Sequence, residues 1–196
     1  NRVLAPYMAE AMYLAEEGVP CAAIDRAAEE FGMPMGPIEL IDSVGLDVAM
    51  HVSKVLGDAF EREAPTILSG MVDRKQLGRK SGQGFYLWQD GKAVNPYDST
   101  DNIPPNITDR LILPMVKESD ACLTEGVVKD ADLLDAGVIF GTGFAPFRGG
   151  PLQYARDRGV DEITETLEQL AAEFEEKGGA RFKSHQGWQQ LRESGT

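Results

Sequence analysis

The sequence predicts an all-α fold made of two tandem, duplicated helical modules. Three observations carry that expectation: an internal repeat, apolar residues at helical spacing, and extended patterning confined to one short stretch. Arg2, Pro6, Glu10 and the run Glu17-Gly18-Val19 recur as Arg110, Pro114, Glu118 and Glu125-Gly126-Val127, each 108 positions further on. Phe31-Gly32 pairs with Phe140-Gly141 at a shift of 109, and Gly36-Pro37 with Gly150-Pro151 at 114, so a few residues are inserted around the second glycine turn. The repeat divides the chain into a first module over 1–87, a linker over 88–106 and a second module over 107–196.

Each module opens on a helix. Val3, Leu4, Tyr7, Met8, Ala11, Met12 and Ala15 follow one another at three- and four-residue spacing, as do Leu111, Ile112, Met115, Val116 and Leu123, giving one apolar stripe per helix. Gly18 and Gly126 are expected to end these helices, because glycine takes the left-handed conformation of a helix C-terminus without steric cost. Pro20 and Pro37 suit the first turns of the next helices, where a missing N–H costs nothing. Asp161 reads as the N-cap of a long acidic helix that ends at Gly178-Gly179. In that helix seven acidic residues between Asp161 and Glu176 alternate with Ile163, Leu167, Leu170 and Phe174, the pattern of a solvated face over a buried one. Only "GFYLW" (84–88) reads as extended, and "WQDGKAVNPYDSTDNIPPN" (88–106) is dense in Pro, Asp, Asn and Gly, as linkers are. Val3, Leu4, Tyr7 and Met8 are also expected to leave an apolar surface at the start of the chain, one that self-association would bury.

Composition excludes several classes of function. The chain has 196 residues and a net charge of −13, and no basic stripe of the kind that phosphate backbones require, which argues against a nucleic-acid partner. No apolar run reaches the roughly 18 residues of a membrane span. The two cysteines, Cys21 and Cys122, stand far apart in apolar helical contexts and read as reduced core thiols of a cytoplasmic protein.

The candidate chemical motifs divide unevenly. "VIFGTGFAP" (138–146) suggests a dinucleotide loop, but Pro146 stands where the third glycine of G-x-G-x-x-G is needed, and the first copy, "EFGMPMGP" (30–37), has no G-x-G; an inter-helix turn is the better reading. "GRKSGQGFY" (78–86) is either a phosphate cradle using Arg79 and Lys80 or a structural turn, and the turn is preferred because no helix start follows to add its dipole. His51 and His185, the two histidines, lack the spaced carboxylate or serine of a catalytic relay; His51, one turn after Asp47, reads as solvated or capping.

"NRVLAPYMAEAMYLAEEGV", "GMPMGPIELIDSVGLD" and "GRKSGQGFY", in this order and spacing, resemble the C-terminal domain of the 3-hydroxyacyl-CoA dehydrogenases of fatty-acid β-oxidation over most of 1–87. "GTGFAPFRGGPLQYARDRG" (141–159) resembles the second copy of that domain found in the multifunctional β-oxidation α subunits, which also carry an enoyl-CoA hydratase. Single-function members have one copy, so the tandem points to the multifunctional enzymes.

The resemblance implies that an NAD-binding Rossmann domain, with the catalytic histidine and its orienting glutamate, comes directly before residue 1. The chain is then expected to be a piece cut at that junction, with NAD belonging to the full-length enzyme and none to this chain, and with no dehydrogenase activity alone. Implied partners are the acyl-CoA substrate, the Rossmann and hydratase domains, a thiolase subunit and a second copy of the chain. Asn1 falls on the family's asparagine, in "NR" at the start of the first helix, whose amide points at the substrate; it is the candidate catalytic residue. A neutral NH₂ donor can hold an oxygen where charge builds without competing for the proton. The position 108 further on is Asp109, which accepts but cannot donate when ionised, so the second copy is expected to be degenerate and structural. Arg2 and Arg110 stand in both copies and read as helix-packing or capping residues. The alternative class of function is a non-catalytic helical module for dimerisation or partner docking.

Overall fold

A computed structural model describes residues 1–60, 65–94, 103–184, 187–188 and 191–192. Among the described residues the long elements are helices: α1 (Leu4–Glu16), α2 (Cys21–Phe31), α3 (Pro37–Val44), α4 (Leu46–Phe60), α5 (Ile67–Asp73), α6 (Ile107–Thr124), α7 (Ala131–Thr142), α8 (Pro151–Arg158) and α9 (Val160–Glu173). Two short strands, β1 (Leu87–Gln89) and β2 (Lys92–Val94), pair antiparallel with Trp88 opposite Ala93. The all-α expectation therefore holds, with one hairpin added. That hairpin occupies the first residues of the stretch read as linker, while 95–102 lie outside the described residues. The turn explains it: Asp90 and Gly91 both take positive φ (49° and 74°), the backbone of a tight two-residue hairpin turn.

The chain divides into two compact units. One comprises Tyr7–Phe31 and Met35–Thr108; the other comprises Asn1–Pro6, Gly32–Pro34 and Asp109–Thr196. The duplication is visible inside each. α1 and α6 end alike: Gly18 N–H donates to Ala15 O (3.1 Å) and Val19 N–H to Leu14 O (3.0 Å), while Gly126 N–H donates to Leu123 O (3.0 Å) and Val127 N–H to Cys122 O (2.9 Å). These paired bonds, with the glycine at φ 85° or 72°, close off the last carbonyls of each helix.

The middle helices of each copy share a second device. In the first, Asp25 on α2 accepts from the backbone N–H groups of Ile38 (2.7 Å) and Glu39 (3.1 Å), capping α3 from outside it. In the second, Asp135 on α7 accepts from Leu152 (2.7 Å) and Gln153 (2.9 Å), capping α8. The glycine before each capped helix is closely covered: a Cβ on Gly36 would lie 2.1 Å from Asp25, and one on Gly150 2.4 Å from Asp135. This geometry corrects the sequence register. Asp25 and Asp135 are 110 apart, so the counterpart of Phe140 is the exposed Glu30 and not the buried Phe31; Phe140 is 90% exposed. A one-residue slip rotates a helical position by about 100°.

Two other expectations change. α6 is buried on every side from Arg110 to Asp120, not along one stripe. Two of its polar side chains have internal partners: Arg110 stacks its guanidinium 4.3 Å from the Phe174 ring centroid, and Lys117 donates to the carbonyls of Arg181 (2.5 Å) and Lys183 (3.2 Å). Asp161 is not the N-cap of α9; Gly159 stands there at φ 95°, and Asp161 lies in the first turn with its carboxylate on Arg192 (2.8 Å). The helix ends at Glu173, before the expected Gly178-Gly179, and two short 3₁₀ turns follow. Its Val160, Ile163, Leu167 and Leu170 are buried while the seven acids are exposed, as expected. Tyr7 is fully buried and Val3, Leu4 and Met8 half-buried, so the expected open apolar face is absent at Tyr7. Among the described residues no helix is long and apolar enough to cross a membrane.

Candidate functional site

The candidate site begins at the first turn of α1. Asn1 has an exposed side chain, and its carbonyl accepts from Ala5 N–H at 2.9 Å, so the backbone is already part of the helix start while the amide remains free to face a ligand. Arg2 reaches residues of the second copy. Its Nε donates to Glu118 Oε1 (2.6 Å), and Nη1 and Nη2 form a fork onto the two carboxylate oxygens of Glu125 (2.7 and 2.8 Å).

The second copy treats the equivalent position differently. Asp109 accepts two bonds from Arg158, at 2.5 Å from Nη1 and 3.0 Å from Nη2, and Arg158 also reaches Glu162 and the Tyr154 hydroxyl. At the shift of 114 that relates α3 to α8, the first-copy counterpart of Arg158 is Val44, so Asn1 has no such partner to neutralise. An amide has thus been replaced by a carboxylate fixed in an ion pair, a packing arrangement.

The other sequence-flagged residues take structural places. His51 is exposed on α4, and Asp47 pairs with Lys80; His185 lies outside the described residues. The stretch 138–146 is the end of α7 and a turn, with Gly143 as its left-handed cap, so it matches the inter-helix reading and has no strand to feed a dinucleotide loop. In 78–86 the amides of Gly78, Ser81, Gly82 and Gly84 bond to backbone carbonyls, and those of Phe85 and Tyr86 to the Asp42 carboxylate (both 2.9 Å). Arg79 lies over the Trp88 ring. That is a structural turn. Both cysteines are free, and burial pushes the Cys21 thiol up to about 12 and raises Cys122 as well, which keeps them as unreactive thiols.

Sequence reasoning missed the acids that organise the first copy. Asp25 accepts from the Tyr86 hydroxyl (2.7 Å) in addition to capping α3. Asp42 accepts from the Phe85 and Tyr86 amides and from Trp88 Nε1 (2.8 Å), tying the turn and hairpin to α3. Burial raises the Asp25 carboxyl to about 7 against the pull of Tyr86 and the two capped amides, and raises Asp42 and Asp135 in the same direction. A carboxyl that holds its proton more tightly folded than unfolded makes the folded state the better proton binder between about pH 4 and 7, so stability falls as pH rises through that window. Melting temperatures across it should decline, and Asp25→Asn should flatten the decline; an unchanged slope in that variant would exclude Asp25 as a source.

Residues 1–88 match the family described as 3-hydroxyacyl-CoA dehydrogenase, C-terminal domain. The chain is 42% identical over 194 residues to a fatty acid oxidation complex subunit alpha of Idiomarina loihiensis, covering 90% of this chain and 27% of that protein. It thus spans about a quarter of the length of that relative. Among solved structures, the dehydrogenase part of multifunctional enzyme 1 from C. elegans aligns with a TM-score of 0.70 at 25% identity, covering 98% of this chain and 46% of the other. A 3-hydroxybutyryl-CoA dehydrogenase from Escherichia coli K12 shares the fold at 21% identity, with a TM-score of 0.74 over 99% of this chain and 58% of the other. The glycine-capped opening helix, the Gly36-Pro37 turn and the 78–86 turn all lie within residues 1–88, the span that matches the 3-hydroxyacyl-CoA dehydrogenase C-terminal domain family.

Proposed function

We propose that this chain is the C-terminal part of an NAD-dependent 3-hydroxyacyl-CoA dehydrogenase of fatty-acid β-oxidation, where it helps to close the acyl-CoA site and supplies the Asn1 amide to the substrate. The observation that carries the reading is the contrast between Asn1, an exposed amide on a fixed helix start, and Asp109, its ion-paired copy. Asn1 donates an N–H to a substrate oxygen on which electron density builds as the hydroxyl proton leaves. The module 1–87 forms one wall of the cleft, and 107–196, after the linker 88–106, is the degenerate, structural copy. NAD, bound by a Rossmann domain ahead of residue 1, accepts the hydride. In this reading the longer protein is cytoplasmic, carries a hydratase domain, works with a thiolase subunit and is a homo-oligomer.

The isolated chain should show no turnover of a 3-hydroxyacyl-CoA and no NAD binding above a control protein. Calorimetric titration of the chain with NAD tests this, and saturable binding in the micromolar range would overturn it. A second reading, a non-catalytic dimerisation or docking module, draws on Phe140, Phe147 and Leu133, which are 90%, 75% and 69% exposed. Full turnover by the longer enzyme after Asn1→Ala would favour that second reading.

A further inference from the structure

The guanidinium of Arg2, directly bonded in sequence to Asn1, spends all three of its nitrogens on two carboxylates of the second copy. Glu118 is nearly buried on α6 and accepts from Nε; Glu125, just past the end of α6, takes the two-pronged contact from Nη1 and Nη2. The two acids are seven residues, or two helical turns, apart, so they present to one face. They are also the copies of Glu10 and Glu17. Asn1 is therefore restrained from two directions: its carbonyl by the Ala5 amide within α1, and the next residue by a forked ion pair to α6. An Arg–carboxylate fork fixes orientation as well as distance, which a single point charge does not. With its backbone fixed, the Asn1 amide has only its two side-chain torsions left to search.

We infer that Glu118 and Glu125 are positioning residues for Asn1: through Arg2, the copy that has lost its own asparagine holds in place the asparagine of the other. This rests on the proposed role of Asn1. It also gives the second copy a task that is more specific than added bulk.

The test is a set of kinetic cycles in the longer enzyme that carries this chain, with a 3-hydroxyacyl-CoA and NAD as substrates. Glu125→Ala, Glu118→Gln and Arg2→Lys should each lower kcat about tenfold, as a loosely held catalytic group does, with KM within about twofold. The decisive measurement is the same substitutions on an Asn1→Ala background. If the acids act through Asn1, they should change kcat there by less than about twofold, whereas a general structural contribution would lower it again by the same factor. Equal losses on both backgrounds, or full turnover of the Glu125→Ala enzyme, would overturn the positioning role while leaving Asn1 in place. Full turnover of Asn1→Ala itself would instead remove the reading on which the inference rests. Glu125 is half-exposed, with a side chain 54% accessible, so its variant folds even where Glu118→Gln does not.

Discussion

Replacing Asn1 by alanine in the longer enzyme should lower kcat by about 100-fold or more, because one preorganised donor at a developing charge is worth about 2.7–4 kcal/mol. Asn1→Asp should be at least as harmful: the carboxylate removes the donor and puts negative charge where electron density builds. Neither change should shift the melting temperature much, since the side chain is exposed and the backbone bond from Ala5 to Asn1 survives both. The matched control is Asp109→Asn. Asp109 is joined to Arg158 and to no reacting group in this reading, so turnover should stay within about twofold while stability drops, by about 1.5–3 kcal/mol for a charged hydrogen-bonded pair. Steady-state kinetics and thermal melts on the two variants separate the roles. Loss of turnover in the Asp109 variant with retention in the Asn1 variant would invert the assignment of the two copies.

The second large effect concerns folding. Asp42→Ala should destabilise the chain by about 3 kcal/mol or more, because it strands three donors in a buried site, the Phe85 and Tyr86 amides and the Trp88 indole, at about 1–3 kcal/mol each before relaxation. For a chain of this size that corresponds to a fall in Tm of roughly 6–12 °C. Asp42→Asn keeps one acceptor oxygen and should lose less. Gly84 makes a companion test, since a Cβ there would lie 2.1 Å from Asp42 Oδ1; Gly84→Ala should also destabilise, and to a similar end, by pushing the turn off the carboxylate. Differential scanning calorimetry checks both. An Asp42→Ala protein that melts with the wild type would show that the turn is held by other means.

Much of this was legible in the residues. The duplication, the glycine stops at 18 and 126 and the solvated face of α9 follow from spacing alone, because helical periodicity and glycine stereochemistry are local. The hairpin was missed for a local reason too: Asp90-Gly91 is a hairpin signal, but it sat inside a stretch whose Pro and Asn content read as linker. The register slip at Phe140 has another cause. Phe-Gly matched Phe-Gly by identity, while the fold aligns the copies by a capping acid, and one inserted residue turns a helix face from core to solvent. The contacts of Asp25, Asp42, Glu118 and Glu125 could not be found by pattern, since each acts on a partner 13 to 123 residues away. At position 156, the copy of Asp42, stands Arg156, and among the described residues of the second copy no hairpin follows it.

The covered glycines carry a consequence for how the two copies have been able to diverge. Gly36 cannot acquire any side chain while Asp25 is in place, and Asp25 cannot be lost without uncapping α3; Gly150 and Asp135 stand in the same relation. Each step taken first is harmful, so no single substitution leads out. The pair forms a mutational dead end that both halves of the duplication entered together, and it remains as a fixed point while the residues around it, from asparagine to aspartate at the helix start and from aspartate to arginine on the next helix, have drifted to new work.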